Sequence, residues 1–263
     1  DKSSFKKGGV ILSGGYFKHI HTLLNSDGSI NSWIHCNNIA NETSTNCFKP
    51  IGPVIKDKKL VKLTNSVPPL YKEVYGYVCV KNNESELSVR NENGLKTGNC
   101  DDILSSGPIL VLGGKLAFNV NLYKKNKYLA SAQDTTKETH GYDASGSFRY
   151  LAGHLGHAFN TNPRTAIGTD SNKNIYLVTV EGRGSRGAGV DLVRMGEIMK
   201  GLGCYNAINL DGGGTSDLLY KLPNSQCFID TNPTHKYVYP EMSLNNTTAF
   251  VFTFNTGLEY DDL

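Results

Sequence analysis

Residues 174–216 carry the clearest pattern in the chain, which predicts a strand, a loop, a helix, a second strand and a second loop. Asp191 lies near the predicted helix start, where a negative charge suits the helix dipole, and Gly201 and Gly203 end the helix. Apolar residues recur along the helix at intervals of three or four, which places one apolar stripe against a core: Leu192, Met195, Met199 and Leu202.

The second loop of this unit, residues 209–216 (Asn-Leu-Asp-Gly-Gly-Gly-Thr-Ser), follows the apolar residues Ala207 and Ile208 and therefore begins at the end of a buried strand. Asp211 places one carboxylate at that strand end. The three glycines remove every side chain that would keep a ligand from the backbone, and two hydroxyl residues offer hydrogen bonds. Because consecutive glycines cost conformational entropy, the loop indicates a functional role.

Short apolar runs separated by turns predict further strands at residues 9–12, 74–80, 108–112 and 249–254. Residues 128–161 are polar and without a period, which predicts a long surface excursion of the kind that forms lids and binding loops. No internal repeat or low-complexity linker divides the chain. We therefore predict an α+β fold over residues 1–263, a single domain of mixed or antiparallel sheet packed by a few helices, with the site on strand-end loops.

Composition excludes two classes of partner. The formal net charge is only +3 and no cluster of lysine or arginine is present, so nucleic acid is not an expected partner. No apolar run approaches the roughly 18 residues of a membrane span.

The polar residues 1–4 show no signal peptide, as expected at the start of a mature or trimmed chain. The sequence does not determine an oligomeric state.

The six cysteines form three sequence-local couples, 36/47, 79/100 and 204/227, and none lies in a C-x-x-C pair. Six cysteines allow 15 pairings; we expect local pairing, because short connections close most easily. An oxidising compartment would follow, so the chain is predicted to be secreted or lumenal. Glycosylation sequons at Asn41, Asn83, Asn245 and Asn246 agree, although an Asn-rich chain also produces sequons by chance.

Two strand-end loops of the unit present acids, Glu181 and Asp211. If their strands are neighbours in a sheet, both carboxylates emerge at the same edge. Two carboxylates flanking a scissile bond are the requirement for glycoside hydrolysis, one protonating the leaving oxygen while the other activates water or attacks carbon. The structural alternative is that each acid caps a loop or pairs with an arginine.

Three arginines lie in the same part of the sequence. Arg183 and Arg186 share the loop after Glu181, and Arg164 comes shortly before the first strand of the unit. Guanidinium groups bind phosphate or carboxylate through two parallel hydrogen bonds, which predicts an anionic substrate group beside the acids. Internal pairing between these arginines and the acids is the alternative, and both roles can hold together.

Other chemistries lack a sequence signal. His154 and His157 are three residues apart, but no further ligand lies at zinc-like spacing, so no metal site is predicted. His19 and His21 follow a glycine turn, where they either line a pocket or face solvent. The chain has neither a Gly-x-Ser-x-Gly elbow nor a Walker phosphate loop.

Taken in order, four blocks of sequence resemble the phosphodiester glycosidase family. They are residues 13–17 (Ser-Gly-Gly-Tyr-Phe), residues 104–111 around Ser-Gly-Pro, residues 163–168 (Pro-Arg-Thr-Ala-Ile-Gly), and residues 180–216 from Glu-Gly-Arg to the glycine loop. The last block is the most specific, and the likeness spans most of the chain.

The resemblance implies hydrolysis of a sugar-1-phosphodiester or phosphoglycan, such as an N-acetylglucosamine-1-phospho-sugar, at the anomeric bond, releasing the sugar and a phosphomonoester. No cofactor is required by this chemistry. Asp211 and Glu181 would form the acid/base or nucleophilic pair, and Arg164 and Arg183 would hold the phosphate. The other substrate-binding residues that the resemblance implies are Thr165, Gly212, Gly213, Gly214, Ser216, Gly14 and Gly15.

Two residues depart from the family pattern. Ser13 stands where asparagine is usual, which shortens or removes an amide contact. Glu181 stands where aspartate is usual and extends the carboxylate by one methylene. Because a displacement of about 1 Å at a catalytic group can cost two orders of magnitude in rate, these departures favour an alternative function, a non-catalytic protein that binds a glycan or sugar phosphate.

Overall fold

The computed structural model describes residues 9–16, 20–24, 26, 30–35, 50, 52–61, 76–81, 86–91, 99–118, 158, 161–184, 187–213, 216, 218–221, 229–230 and 249–253. In chain order their strands are β1 (Gly9–Ser13), β2 (Ile20–Leu24), β3 (Ile30–His35), β4 (Val54–Lys56), β5 (Lys59–Leu60), β6 (Gly76–Lys81), β7 (Glu86–Asn91), β8 (Asp102–Ser106), β9 (Ile109–Leu112), β10 (Lys115–Leu116), β11 (Arg164–Thr169), β12 (Ile175–Val180), β13 (Asn206–Asn209), β14 (Leu218–Lys221), β15 (Ile229–Asp230) and β16 (Ala249–Thr253). Helix α1 (Leu192–Gly201) lies between β12 and β13.

The strands form antiparallel sheets. The central sheet has the order β10-β9-β13-β11-β12, and a second five-stranded sheet has the order β5-β4-β8-β6-β7. A four-stranded sheet has the order β15-β14-β1-β16, and β2 pairs with β3. In the central sheet β11 is antiparallel to both β12 and β13, so β12 and β13 run in the same direction and end at the same edge.

Both faces of the central sheet are covered. On one face, fully buried side chains of α1 pack in one apolar cluster with sheet residues that include Leu110, Ala166 and Ala207. On the other face Ile167 and Ile208 pack with Val78 and Val89 of the second sheet. Burial of each large apolar side chain stabilises the fold by about 1.5–3 kcal/mol, so the sheet edge that carries the loops is fixed from both sides.

Helix α1 begins and ends as its sequence predicts. Asp191 is the N-cap, and its Oδ1 accepts a hydrogen bond of 2.7 Å from the Arg194 backbone N–H. Gly203, at φ +93°, follows the C-cap Leu202 in the left-handed region that glycine adopts without strain. The expected apolar stripe is wrong at one position, because Leu202 is 45% exposed. As the C-cap residue, Leu202 lies beyond the last turn that faces the sheet.

The expected α+β fold class is wrong. The described residues contain sixteen strands in antiparallel sheets and one helix, so the protein is mostly β and is not packed by a few helices. Strand β8 (Asp-Ile-Leu-Ser-Ser) has no apolar alternation in its sequence although it is largely buried, and β7 (Glu-Leu-Ser-Val-Arg-Asn) alternates at only two apolar positions, Leu87 and Val89. The predicted strands at 9–12, 74–80, 108–112 and 249–254 correspond to β1, β6, β9 and β16. Most of the predicted excursion at 128–161 lies outside the described residues.

One predicted cysteine pair is confirmed, and another is wrong. Cys79 and Cys100 form a disulfide in the buried cluster that also holds Tyr77 and Ile103. Cys204 is a buried free thiol, so it is not paired with Cys227. Burial raises the pKa of the Cys204 thiol to about 11, with Asp170 adding to the effect, which keeps this group uncharged and unreactive at neutral pH. Cys36, Cys47 and the four sequons lie outside the described residues.

Removal of the Cys79–Cys100 disulfide is expected to destabilise the protein. The bond closes a loop with a sequence separation of 21 residues, which restricts the unfolded chain by about 3 kcal/mol. Replacing both cysteines with alanine should lower the free energy of unfolding by about that amount in urea titrations. Cys204→Ala is the matched control for loss of a buried sulfur without loss of a cross-link. Equal losses in the two variants would contradict the expectation.

Within the described part of the chain, no helix has the length and apolar character needed to cross a membrane.

Candidate active site

Four of the predicted residues, two acids and two arginines, lie around one end of the central sheet. Glu181 directly follows β12, and Asp211 comes two residues after β13. Strand β11, which begins at Arg164, lies between them, with Arg164 opposite Val180 and Ala166 opposite Asn209. The two acids therefore extend from the same sheet edge, as expected, but their strands are separated by β11 rather than adjacent.

The start of β11 anchors the loops on either side of it. The Pro163 carbonyl accepts from the Gly213 N–H at 2.9 Å, and the Thr165 carbonyl accepts from the Leu210 N–H at 2.8 Å. Asn162 and Val190 exchange two backbone hydrogen bonds, of 3.1 and 3.0 Å. Four consecutive residues, 162–165, thus fix both the glycine loop and the segment that leads into α1.

Asp211 is held on both its backbone and its side chain. Its N–H donates to the Gly14 carbonyl at 2.8 Å, and its Oδ1 accepts from the Gly212 N–H at 2.9 Å. Gly15 packs so closely on β8 that a Cβ there would lie 2.2 Å from the Ser105 carbonyl oxygen. The predicted glycines Gly14 and Gly15 therefore set the position of the Asp211 backbone through a close backbone approach.

Two residues that the sequence analysis did not assign to the site, Tyr16 and Asn209, form a buried pair beside Asp211. The Asn209 Nδ2 group contacts three acceptors: Tyr16 Oη at 2.7 Å, the Leu210 carbonyl at 2.7 Å and the Gly107 carbonyl at 3.1 Å. Both residues lie in blocks that carry the family resemblance. The sequence feature that could have identified Asn209 as a site residue is its position as a polar residue at the end of an apolar strand.

Two charged side chains, those of Arg164 and Asp211, act on the buried Tyr16 hydroxyl. Burial raises the pKa of the Tyr16 hydroxyl, the positive charge of Arg164 opposes this, and the negative charge of Asp211 adds to it. Burial likewise lowers the pKa of the Arg164 guanidinium; Tyr16 and Asp191 oppose that change, and Arg183 adds to it. Arg164 and Asp211 therefore both act on one neutral, buried tyrosine hydroxyl.

The two arginines are held differently. Arg164 is 4% exposed, and its Nε donates to the Val190 carbonyl at 3.0 Å. Arg183 is exposed and has φ +56°, a conformation uncommon for residues other than glycine. Its Nε and Nη2 both donate to Asn162 Oδ1, at 3.0 and 2.6 Å. Arg164 therefore connects the start of β11 to the segment that leads into α1, whereas Arg183 is held by Asn162, two residues before β11.

Four buried side-chain atoms around these loops have no hydrogen-bond partner among the described residues: Ser106 Oγ, Thr165 Oγ1, Asn209 Oδ1 and Ser216 Oγ. Leaving a buried polar atom unpaired costs about 1–3 kcal/mol, so such atoms usually serve water or a ligand. Thr165 and Ser216 were predicted substrate contacts, and Ser106 lies in the second family block. The unpaired atoms are therefore concentrated in the segments that the sequence marked.

The remaining predicted residues have mixed outcomes. Glu181 is exposed, and Gly212 and Gly213 are half-buried, with Gly213 at φ +70°. Gly214, Arg186, His19, His154 and His157 lie outside the described residues. Across the described ranges, no group of three or more histidine, cysteine, aspartate or glutamate residues is arranged to hold a metal ion.

Asn209→Asp is expected to make stability depend on pH. Asn209 is 1% exposed, and its Nδ2 contacts carbonyl oxygens, so a carboxylate there would be buried facing acceptors, which disfavours the charged form. The folded-state pKa of the introduced carboxyl should rise above the unfolded value of about 3.9. Protonation then favours the folded state, so the stability loss should be small below about pH 4 and grow as pH rises.

Urea unfolding of this variant and of the native chain, compared at several pH values, measures the effect. The control is Asn99→Asp at an exposed position, which should show little pH-dependent difference. A stability loss for Asn209→Asp that does not change with pH would contradict the expectation.

Comparison with known proteins agrees with the resemblance in sequence. A family model described as phosphodiester glycosidase matches residues 31–250. The match includes three of the four resembling blocks and begins after the block at residues 13–17.

Individual relatives are distant. A stretch of 55 residues is 42% identical to the SPbeta prophage-derived uncharacterized protein YomE of Bacillus subtilis (strain 168), covering 21% of this chain and 8% of that protein. The fold is similar to that of the catalytic domain of zebrafish N-acetylglucosamine-1-phosphodiester alpha-N-acetylglucosaminidase, auto-inhibited by its pro-peptide, with a TM-score of 0.50 and 18% identity over 95% of this chain and 64% of that chain. A hypothetical protein from Synechocystis aligns with a TM-score of 0.42 and 15% identity over 93% of this chain and 51% of that chain. The chain thus spans less than two thirds of each of these proteins.

Proposed function

The chain belongs to the phosphodiester glycosidase family, and on that premise we propose that it hydrolyses a sugar-1-phosphodiester at the anomeric carbon. Water adds to that carbon, the bond between it and the phosphate oxygen breaks, and the products are the free sugar and a phosphomonoester. An N-acetylglucosamine-1-phospho-sugar or a phosphoglycan is the substrate class that we propose.

The observation that carries this proposal is the pair of arginines beside a held carboxylate. Both arginines lie against the glycine turn that follows Asp211, since a Cβ at Gly212 would be 3.5 Å from the Arg164 Cα and one at Gly213 would be 3.5 Å from Arg183 Nη2. The positive charge of Arg183 repels that of Arg164, and Asp191 offsets this repulsion in part. A phosphodiester anion bound between them would relieve that repulsion, and guanidinium groups bind phosphate oxygens through paired hydrogen bonds. Asp211 directly precedes this glycine turn and would then lie beside the phosphate.

We assign Asp211 the role of nucleophile or general base. Its hydrogen bond from the Gly212 N–H stabilises the ionised carboxylate and fixes its orientation. A phosphate leaving group is weakly basic, so the reaction needs little protonation of the leaving oxygen, and one carboxylate can carry most of the chemistry. Glu181, at the same sheet edge, is the proposed second acid. The glycines after Asp211 would let the sugar approach the backbone.

Hydrolysis in water enriched in oxygen-18 tests which bond is cleaved. The substrates are methyl diesters of N-acetylglucosamine-1-phosphate and glucose-1-phosphate, and both products are analysed by mass spectrometry. The proposal expects the label in the sugar, and free sugar incubated in the same water corrects for exchange at the anomeric hydroxyl. Label in the phosphomonoester, or no hydrolysis of any diester in the panel, would overturn the proposal.

A second function, binding of a sugar phosphate without turnover, is favoured by one observation. Glu181 is exposed and is longer than the family's usual aspartate, whereas catalytic acids are commonly desolvated. Calorimetric binding of a sugar phosphate together with no product after long incubation would select this alternative.

We also propose that the protein works in an oxidising compartment, either secreted or lumenal. The Cys79–Cys100 disulfide supports this, because such bonds persist mainly outside reducing compartments. Mass spectrometry of the protein from its native source, alkylated before reduction, would show unmodified Cys79 and Cys100 if the bond exists there.

A further inference from the structure

Asn162 lies at the start of the β11 segment and contacts Arg183 through a single atom. Its Oδ1 accepts from both Nε and Nη2 of Arg183, at 3.0 and 2.6 Å, which uses two of the five N–H donors of the guanidinium. The remaining three N–H groups of Arg183 have no hydrogen-bond partner among the described residues. Asn162 therefore orients this guanidinium without neutralising its charge.

The guanidinium lies over the glycine turn. A Cβ added at Gly213 would be 3.5 Å from Arg183 Nη2 and 3.7 Å from Nη1, which is van der Waals contact. Gly213 is in turn fixed by its hydrogen bond to the Pro163 carbonyl. The planar group of Arg183 is thus bounded by Asn162 along one edge and by Gly213 on one side.

The backbone around Arg183 also depends on Asn162. A Cβ at Gly189 would lie 2.3 Å from the carbonyl carbon and oxygen of Asn162, and one at Gly182 would lie 2.8 Å from Pro163 N. Both ends of the loop that carries Arg183 therefore rest on residues 162 and 163. Asn162 itself is 7% exposed, so its side chain has little freedom to move.

We propose that Asn162 is a positioning residue that aims Arg183 across the glycine turn, so that the unpaired guanidinium N–H groups bind the phosphate of the substrate. This inference rests on the proposed function for its substrate. Its physical content is narrower, namely that binding of a phosphate anion at this site depends on Asn162 through Arg183. An asparagine suits the role because a neutral acceptor leaves the guanidinium charge available to the ligand, whereas a carboxylate would neutralise it.

A double-mutant cycle separates this role from a purely structural one. Binding of inorganic phosphate is measured by calorimetry at low salt for the native chain, Asn162→Ala, Arg183→Ala and the double variant. Because hydrogen bonds to a charged group are involved, each single variant should bind phosphate about tenfold more weakly. The double variant should bind no more weakly than Arg183→Ala, because removal of Asn162 has no further effect on phosphate binding once Arg183 is absent.

Two further measurements accompany the cycle. Asn174→Ala is the matched control, because Asn174 also bonds through its side chain but lies at the opposite end of the β11–β12 hairpin. It should bind phosphate as the native chain does. Where the protein turns over a diester, Asn162→Ala should raise KM with little change in kcat, the pattern of lost ground-state binding.

Equal losses for Asn162→Ala in the presence and in the absence of Arg183 would overturn the proposal, as would unchanged phosphate binding by Asn162→Ala. Absence of phosphate binding by the native chain would overturn it as well. Failure of the proposed hydrolysis has a different signature, because the phosphate cycle would then keep its non-additive pattern while no diester is cleaved.

Discussion

Asp211→Asn is expected to lower kcat/KM for a sugar-1-phosphodiester by about two to four orders of magnitude, the range seen when a positioned acid, base or nucleophile is removed. Two contacts of residue 211 survive the substitution. An asparagine Oδ1 can still accept from the Gly212 N–H, and the bond from the residue 211 N–H to the Gly14 carbonyl belongs to the backbone. The loss of rate should therefore come with a small change in the free energy of unfolding.

Asp57→Asn is the control for this comparison. Asp57 is an exposed turn residue at φ +50°, a conformation that asparagine tolerates well. Steady-state rates of sugar release and urea unfolding curves are measured for the native chain and both variants. Turnover by folded Asp211→Asn at the native rate would remove Asp211 from the proposed mechanism.

Gly189→Ala is expected to destabilise the protein by about 3 kcal/mol and to weaken phosphate binding. Gly189 has φ +90°, which is strained for alanine by about 1 kcal/mol. The new Cβ would also lie 2.3 Å from the Asn162 backbone, and relief of such a contact requires a backbone shift that typically costs about 1–3 kcal/mol. That shift moves the residue that holds Arg183.

Two other glycines separate strain from steric contact. Gly203 has φ +93° with nothing within 4 Å of an added Cβ, so Gly203→Ala should cost only the strain, about 1 kcal/mol. Gly201, at the end of α1, has open space and no positive φ, so Gly201→Ala should be neutral or slightly stabilising. Urea unfolding ranks the three variants. Equal losses at Gly189 and Gly203 would show that packing against Asn162 contributes nothing.

Local patterns in the sequence predicted local structure well. The period of apolar residues and the flanking Asp191 and Gly203 predicted α1, because capping and burial of one helix face depend on residues within a few turns. The apolar runs likewise predicted β1, β9, β12 and β16. The family resemblance drawn from the four blocks is confirmed.

The fold class could not be read from the same patterns. No strand was predicted at Arg164 and Thr165, which precede the strand at 174–180 in the sequence, yet they begin β11, the strand between β12 and β13. Its sequence, Arg-Thr-Ala-Ile-Gly-Thr, has no clear apolar alternation because both of its faces are covered. The cysteine pairing failed at Cys204 for a related reason, since closeness in sequence does not determine which thiols meet in space.

The sequence by itself determined the parts of the candidate site: a carboxylate and glycines after one strand, an acid and arginines around another, and the helix between them. Only the tertiary structure decided how these parts meet. Asn209 contacts Tyr16, a residue 193 positions away, and Asn162 holds Arg183 across the sheet edge. Such contacts depend on the register of antiparallel strands from distant parts of the chain. That register is set by the burial of both faces of the central sheet rather than by the preferences of neighbouring residues.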